Sequence, residues 1–152
     1  MLASNAMTTQ LLTLHVDAQV KDAISLFSES AVHEFPVVDS AGKLVGEISS
    51  RSILHHAVPA YASTELLAAM RAGPDIQSLY RNLETMLDQP IRKLMSVDVP
   101  AEHADTPVSA VAAELVTQSG DISHVYVVDD EGKLLGVISA RDVIRRFANL
   151  HL

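Results

Sequence analysis

A 22-residue segment occurs twice in this chain, ninety positions apart, and this repeat constrains the fold more than any other feature. Residues 33–54 read HEFPVVDSAGKLVGEISSRSIL, and residues 123–144 read SHVYVVDDEGKLLGVISARDVI. Ten aligned positions are identical: Val37/Val127, Val38/Val128, Asp39/Asp129, Gly42/Gly132, Lys43/Lys133, Leu44/Leu134, Gly46/Gly136, Ile48/Ile138, Ser49/Ser139 and Arg51/Arg141. An internal repeat indicates two copies of one structural unit, and we expect the copies to pack around a pseudo-two-fold axis.

The similarity extends upstream of this segment. Residues 7–20 align with residues 95–108 at an offset of 88, so the second copy has two extra residues before its first full strand. The preceding Ser4-Asn5-Ala6 is compatible with a cloning remnant, in which case Met7 is the natural start. The first residues lack the basic region and the long apolar stretch of a secretory signal peptide.

Within each copy, the sequence predicts the order β-α-β-β-α. The first helix covers roughly residues 20–30 or 107–119. Pro107 suits the first turn of the latter helix and Gly120 its end. A final helix follows the last strand of each copy. The strands between the two helices are rich in valine and span residues 34–39 and 44–49, or 124–129 and 134–139.

Gly42 and Gly132 occupy the turns between these strands, where a positive φ is expected. The lysine after each glycine does not make a phosphate-binding loop, because the earlier glycine and the following Ser or Thr are missing. A two-stranded hairpin is marginal alone, so the two units should share a core. The predicted fold class is α+β, with two pseudo-symmetric β-α-β-β-α repeats packed as one pair.

A helical insert is predicted between the copies, with repeat 1 at 7–60, the insert at 61–89 and repeat 2 at 90–149. Its first helix would run from a cap at Thr64 to about Arg71, before Gly73-Pro74. Asp75 can cap a second helix, and Pro90 opens a short one. The apolar face predicted for the second helix comprises Ile76, Leu79, Tyr80, Leu83 and Leu87. We favour a connecting hairpin without its own function over a segment that makes a dimer contact.

The composition limits the partners of the protein. A net charge of -8 argues against nucleic-acid binding, which normally needs a basic surface. The absence of cysteine fits a reducing compartment, and no apolar run is long enough to cross a membrane. We therefore predict a cytoplasmic protein with no nucleic-acid partner and no membrane partner.

Both copies resemble a known family. The shared pattern begins with a methionine, followed at a distance by TPV and then by PVVD-x-x-GKL-x-G-x-IS-x-RD. This pattern resembles the CBS domain, named after cystathionine β-synthase. Two tandem copies resemble a CBS pair, or Bateman module, over residues 7–149 apart from roughly 56–89. The resemblance implies a regulatory protein that binds AMP, ADP, ATP or S-adenosylmethionine in clefts between the repeats. It also implies a homodimer.

Ser139, Arg141 and Asp142 are candidate ligand-binding residues, because they surround the predicted start of the last helix. Free amides and the helix dipole make such a start an anion site. Ser139 can donate to a phosphate, Arg141 adds positive charge, and the Asp142 carboxylate can accept from both ribose hydroxyls. The resemblance assigns the same roles to the serine and the aspartate. Alternatively, Ser139 and Asp142 form a capping box that needs no ligand.

The resemblance places the adenine-facing wall of this cleft on the other repeat, at Leu11, Leu12, Val32, His33 and Glu34. Val32 would pack on the ring, and backbone groups would read its edge. Alternatively, Leu11, Leu12 and Val32 are ordinary core residues, and His33 is exposed without a ligand. Glu34 would repel a phosphate by about 1 kcal/mol or more, which favours an AMP-like or uncharged adenosine ligand over ATP.

A second, weaker cleft is predicted from copy one, where Ser52 replaces the carboxylate. A serine can make one ribose contact but not a bidentate one. The residues predicted for this cleft are Ser49, Arg51, Ser52, Val99, Ile122, Ser123 and His124. For His124, as for His33, the alternative is an exposed side chain without a ligand.

No catalytic or metal-binding pattern is present in the sequence. The seven histidines lack metal-ligand spacing, and nucleophile-elbow, zinc-protease and dinucleotide motifs are missing. We predict no enzyme activity and no cofactor apart from the regulatory ligand. The leading hypothesis is a sensor whose dimer geometry is read by a separate effector protein. Two alternatives stay open: a dimerisation scaffold with degenerate clefts, and a cation-responsive module that uses the acidic turn at 129–131.

Overall fold

The first repeat has the predicted order of elements in the computed structural model, which describes residues 1–58, 76–117 and 123–152. A short helix, α1 (Ala3–Ala6), precedes it. The repeat consists of β1 (Leu14–His15), α2 (Val20–Glu29), β2 (Glu34–Val38), β3 (Leu44–Ser49) and α3 (Ser50–Ala57). Helix α2 begins after Gln19, whose amide donates to the Asp22 carboxylate at 2.8 Å and so satisfies a free donor of the helix start.

The second repeat follows helix α4 (Ile76–Met86) and a 3₁₀ turn (Ile91–Lys93), which begins directly after Pro90 as predicted. It consists of β4 (Ala101–His103), α5 (Val108–Thr117), β5 (His124–Val128), β6 (Leu134–Ser139) and α6 (Ala140–His151). Strands β3 and β6 have the predicted bounds, whereas β2 and β5 end one residue early. Pro107 lies just before α5 rather than inside its first turn, and Gly120 lies outside the described residues.

The two sheets have the same topology and the same irregularity. In each, the first strand is parallel to the second, and the second is antiparallel to the third. The register shifts at Val37/Val38 in one sheet and at Val127/Val128 in the other. The hairpin glycines have φ angles of 80° at Gly42 and 82° at Gly132, which confirms the predicted left-handed turns.

The two hairpins pair with each other across a pseudo-two-fold axis. The Leu44 amide donates to the Gly132 carbonyl at 3.0 Å, and the Leu134 amide donates to the Gly42 carbonyl at 3.0 Å. The two bonds are equivalent by symmetry, because their donors and their acceptors are each ninety residues apart in the chain. The axis therefore passes beside the bridge between Lys43 and Lys133.

Each repeat has a leading segment before its first strand, and this segment packs on the other repeat. Thr8 pairs with Val137 of β6 through two backbone hydrogen bonds of 2.9 and 3.0 Å. Ser96 pairs with Glu47 of β3 through two bonds of 2.8 Å. The described residues form two cores, one in each repeat, rather than the single shared core that was predicted. Ala3 and Ala6 are buried in the second core, that of repeat 2, and Ile91 and Leu94 in the first, that of repeat 1. The repeats thus exchange their leading segments. Corresponding residues of the two segments are 88 positions apart, which is the offset found in the sequence.

Helix α4, the described part of the insert, packs on the first repeat. Asn82 donates to the carbonyl of Ala57 at 2.8 Å, and the side chains that pack towards the first core are Leu79, Leu83 and the buried Met86. The prediction that Ile76 and Tyr80 share this face is wrong, because they are 52% and 55% exposed. The stripe that packs on the first repeat is narrower than the apolar face predicted from the sequence. The helix predicted at 64–71 lies outside the described residues.

Within the described ranges, no helix combines the length and the apolarity needed to span a membrane.

Candidate functional site

A cleft with a volume of about 610 Å³ lies between the repeats, a size typical of small-molecule sites. It is bordered by residues before β1, by the start of β2, by β5 and by the start of α6. All eight residues predicted for the first cleft line it: Leu11, Leu12, Val32, His33, Glu34, Ser139, Arg141 and Asp142. The fold therefore brings residues from both repeats to one place.

One wall of the cleft is apolar and open to solvent. Leu12 is 48% exposed and Val32 is 47% exposed, so neither is the ordinary core residue that the alternative interpretation described. Leu11 is half-buried beside them. Half-exposed aliphatic side chains that face a concave site gain free energy when a flat ring covers them.

The N-terminus of α6, closed by a capping box, also borders the cleft. Ser139 Oγ accepts from the Asp142 amide at 3.3 Å, and Asp142 Oδ2 accepts from the Ser139 amide at 2.8 Å. Ser139 Oγ also donates to Asp142 Oδ2 at 2.6 Å. The capping interpretation of Ser139 and Asp142 thus describes the local geometry, and any ligand must use what the cap leaves available.

The second oxygen of the Asp142 carboxylate also has protein donors. Thr8 Oγ1 donates to Asp142 Oδ1 at 3.1 Å, and an Arg145 Nη donates to the same oxygen at 2.6 Å. Burial opposes the charged form, but the hydrogen bonds from Ser139 and Thr8 and the charge of Arg145 outweigh it and lower the pKa of Asp142. The four acceptor positions of the carboxylate are therefore in use, and a ribose contact requires one donor to move.

The backbone at the helix start differs between the repeats. In α3, the Ser50 amide donates to the His33 carbonyl at 3.1 Å. Among the described residues, no backbone bond of this kind joins Ala140 to Ser123, the matching pair of the second repeat. Ala140, the first residue of α6, lines the cleft, and a helix start favours an anion there.

A network of polar side chains joins the repeats at the edge of the cleft. His124 Nε2 lies 2.5 Å from Glu47 Oε2, and the Tyr126 hydroxyl donates to the same oxygen. Ser123 Oγ donates to Glu34 Oε2 at 3.2 Å and lies 2.8 Å from His124 Nδ1. The first repeat supplies both carboxylates and the second supplies the donors, so the network links the two units.

The contacts around His124 favour a protonated imidazole. Its Nδ1 lies 3.1 Å from Glu34 Oε2 and 2.8 Å from Ser123 Oγ. With the Ser123 hydroxyl proton donated to Glu34, Nδ1 donates to Ser123 Oγ. The other ring nitrogen faces Glu47, and a carboxylate only accepts. Burial opposes protonation, but the hydrogen bond to Glu47 and the charges of Glu47 and Glu34 raise the pKa of His124. The same carboxylates, together with burial, raise the pKa of Tyr126, which stays a neutral donor.

The side-chain atoms of Glu34, Glu47 and His124 lie within 4.8 Å of one another, close enough to surround a cation. An imidazolium has no free lone pair for a metal. The protonated ring between two carboxylates accounts for the cluster without an ion.

The comparisons with known proteins come from the sequence and from the fold. The family model of the CBS domain matches residues 3–58 and 91–149. The chain belongs to the CBS domain family. The two matched segments coincide with the two repeats of the structure, each with its leading segment.

Relatives of this CBS protein include chains of very different length. It is 26% identical over 142 residues to an uncharacterized protein of Methanocaldococcus jannaschii, covering 88% of this chain and 83% of that one. It is also 26% identical over 146 residues to the L-aspartate semialdehyde sulfurtransferase of the same organism, covering 96% of this chain but 23% of the enzyme. The match to the enzyme is thus confined to under a quarter of its length.

Solved structures of CBS proteins share the fold. A CBS protein of unknown function from Bacillus anthracis superposes with a TM-score of 0.77 at 16% identity, covering 100% of this chain and 95% of that one. The protein CBSX2, solved in complex with AMP, gives 0.72 at 23% identity, covering 99% of both chains. The CBS pair of protein MJ0100, solved with 5′-methylthioadenosine and S-adenosyl-L-methionine, gives 0.64 at 24%, covering 99% and 98%.

Ser123 and His124, which were predicted for the second CBS cleft, also line the first. Positions 34 and 124 meet near the pseudo-two-fold axis, where Glu34 contacts His124 at 3.1 Å. The alternative of an exposed His124 is wrong, since its side chain is 15% exposed. His33, by contrast, is exposed at the mouth of the first cleft.

The remaining residues predicted for that cleft stay near α3 or before β4. Ser49 and Ser52 form a capping box, in which the Ser52 amide donates to Ser49 Oγ at 2.9 Å. Arg51 is exposed and Val99 is half-buried, and Ile122 lies outside the described residues. Ser52 stands where the second repeat has Asp142, and α3 keeps its helix cap without a carboxylate at this position.

The residues of the site that the sequence did not predict include Thr8, Glu47 and Tyr126. Thr8 aligns with Ser96 at the offset of 88, so the repeat held a weak signal for a hydroxyl at this position. Glu47 and Tyr126 stand opposite Val137 and Pro36 in the repeat alignment. Because Glu47 and Tyr126 differ from their counterparts, the matching positions across the axis cannot form the same network. This difference between the repeats was the sequence signal for the network.

Proposed function

We propose that this protein is a regulatory module that binds an adenosine-containing ligand, AMP-like in size and charge, in the cleft between its two CBS repeats. The observation that carries the proposal is the convergence of residues from both repeats on one 610 Å³ cleft with an apolar wall and a helix N-terminus. A ligand with one flat apolar end and one anionic end matches that arrangement.

The proposed orientation follows from the two ends of the cleft. The adenine ring packs on Leu12 and Val32, whose exposed surface it covers. The phosphate lies at the start of α6, where the Ala140 amide and the Arg141 side chain supply donors and positive charge. The ribose then lies between these ends, near Asp142, and displaces Thr8 or Arg145 from one carboxylate oxygen.

The charge of the cleft favours a ligand with few phosphates. Glu34 and Asp142 both line it, and the Glu34 carboxylate contacts Ser123 and His124. Each additional phosphate adds charge repelled by these carboxylates. The order of affinity expected is AMP before ADP before ATP, with S-adenosylmethionine, whose adenosine carries no phosphate, also accepted. CBS proteins of the same fold hold AMP or S-adenosyl-L-methionine, which supports this class.

The proposed output is a change of dimer geometry rather than catalysis. Helix α6 exposes Ile144, Phe147 and Leu150 at 67%, 59% and 66%, and Leu54 on α3 occupies the position that matches Ile144. An exposed apolar patch of this kind fits a second copy of the chain. A ligand that binds the two geometries unequally would shift their populations for a separate effector protein to read.

Calorimetric titration with AMP, ATP, S-adenosylmethionine and NADH tests the binding proposal. The variant Leu12→Ala removes part of the apolar wall without touching the α6 cap, and Asp142→Ala removes the carboxylate. The matched control is Ser52→Ala, which alters the equivalent cap of the other repeat. Saturable binding of AMP that Leu12→Ala and Asp142→Ala weaken, and Ser52→Ala does not, supports the proposal.

A non-liganded dimerisation scaffold is the second candidate, and one observation favours it. The Asp142 carboxylate already accepts hydrogen bonds from Ser139, Thr8 and Arg145, so the cap is complete without a ribose. If none of the four compounds gives heat of binding with protein shown to be folded and ligand-free, the scaffold hypothesis is established.

A further inference from the structure

The side chains of the network at the cleft edge occupy positions where the two repeats differ. Glu34 stands where the second repeat has His124, and Glu47 stands where it has Val137. Tyr126 stands where the first repeat has Pro36. Two acids on one side of the axis therefore meet a histidine and a phenol on the other. Among the described residues this arrangement is found once, whereas the hairpin glycine and the serine cap are found in both repeats.

When it is protonated, His124 is the positive member of this network. Its two nitrogens lie 2.5 Å from Glu47 Oε2 and 3.1 Å from Glu34 Oε2. With the proton in place the three groups carry one net negative charge, and without it they carry two. Of the side chains in this network, histidine is the type whose ordinary charge change lies closest to neutral pH.

We infer that the triad of Glu34, His124 and Glu47 makes the binding of anionic ligands in this cleft depend on pH, with weaker binding once His124 loses its proton. The inference rests on the proposed function, whose ligand it describes further. Glu34 and His124 line the cleft themselves, so the added negative charge faces the ligand directly. The effect acts on the phosphate and leaves an uncharged adenosine ligand unaffected.

Other charged groups of the cleft do not reproduce this effect. At the start of α6, Asp142 is paired with Arg145, and its lowered pKa keeps it charged across the neutral range. Arg141 keeps its positive charge. His33 is the other histidine of the cleft and is exposed at its mouth, so the experiment must separate His33 from His124.

The experiment compares AMP with adenosine by calorimetry from about pH 7 to about pH 9, above the second ionisation of a phosphate monoester near pH 6. For the wild-type protein, the Kd for AMP should rise by roughly three- to tenfold over this range, and the Kd for adenosine should stay constant. In His124→Gln, AMP should bind at about pH 7 as weakly as it binds the wild type at high pH, without further pH dependence.

Three further variants complete the test. Glu34→Gln removes one negative charge from the cleft and should tighten AMP binding at every pH. His33→Gln should keep the wild-type pH dependence. The matched control is His103→Gln, an exposed histidine paired with Asp130 away from the cleft, which should also behave as wild type.

The possible outcomes separate the inference from the proposed function. Binding of AMP and adenosine with the same pH dependence, or a dependence that disappears in His33→Gln but persists in His124→Gln, overturns the inference alone. Failure of both compounds to bind at any pH overturns the proposed function and the inference with it. An AMP-specific dependence lost in His124→Gln establishes the inference.

Discussion

Thr8 Oγ1 donates a hydrogen bond of 3.1 Å to Asp142 Oδ1, across 134 positions of the chain. The bond fastens the leading segment of the first repeat to the last helix of the second. Both residues line the same cleft. This hydrogen bond therefore both orients the Asp142 carboxylate in the cleft and holds the leading segment of the first repeat on the second repeat.

Asp142→Ala is expected to lower the free energy of unfolding by about 1–2 kcal/mol, the usual cost of losing a helix cap. The pKa of Asp142 is lowered in the folded protein, so its contribution is present above the unfolded pKa of about 3.9 and is lost as pH falls through the folded value. Urea denaturation at neutral and at acidic pH measures both effects. A difference between wild type and variant that does not shrink towards acidic pH would contradict the assignment. Ser52→Ala is the control, with a loss that acid leaves unchanged.

His124→Gln is expected to change the pH dependence of stability in the opposite direction. The pKa of His124 is raised on folding, so its stabilisation is complete below the unfolded pKa of about 6.5 and disappears as pH rises through the folded value. The wild-type protein should thus lose stability to urea between neutral and alkaline pH, and the variant should lose less. Equal slopes for the two proteins would show that the network does not hold a proton on this ring.

Gly136→Ala is expected to destabilise the protein by about 1–3 kcal/mol through overpacking. A Cβ at this position would lie 2.8 Å from the Thr8 carbonyl and 2.8 Å from the Met7 sulfur. Gly46→Ala should behave in the same way, because its Cβ would lie 2.6 Å from the Ser96 carbonyl. Thermal unfolding measures the losses.

The control for these glycines is Gly132→Asn. Nothing lies within 4 Å of a Cβ at Gly132, and its φ of +82° is one that asparagine tolerates. We expect a loss below about 1 kcal/mol. If Gly132→Asn cost more than Gly136→Ala, the close approach of the exchanged segments would not be the constraint that excludes a side chain.

Leu12→Ala and Val32→Ala are each expected to weaken AMP binding by about tenfold, or roughly 1.4 kcal/mol. The unfolding free energy should change by less than about 0.5 kcal/mol, because both side chains are nearly half exposed without a ligand. Calorimetry and thermal unfolding on the same preparations separate the two effects. A large loss of stability with unchanged affinity would place these residues in the core after all.

Phe147→Glu is expected to convert a dimer into a monomer, because it places a charge in the exposed apolar face of α6. Light scattering coupled to size-exclusion chromatography measures the mass. The matched control is Val116→Glu on α5, which is 79% exposed and lies outside this face. A wild-type protein that is monomeric at all concentrations would refute the dimer proposal.

Much of the fold could be predicted from local pattern. The hairpin turns follow from Gly42 and Gly132, because glycine adopts the positive φ without strain. The bounds of β3 and β6 follow from runs of β-branched and aliphatic residues that end at a capping serine. The eight residues of the first cleft were predicted because the repeat and its family resemblance relate two segments distant in the chain.

The sequence alone determined the repeated β-α-β-β-α unit, since strand alternation, turn residues and caps act between neighbours in the chain. Only the tertiary structure decided which repeat each leading segment joins, because packing Thr8 on β6 or Ser96 on β3 satisfies no local pattern. The tertiary structure likewise decided that His124 meets Glu34 and Glu47. That contact depends on how two units dock around an axis, a long-range arrangement that propensity and periodicity do not encode.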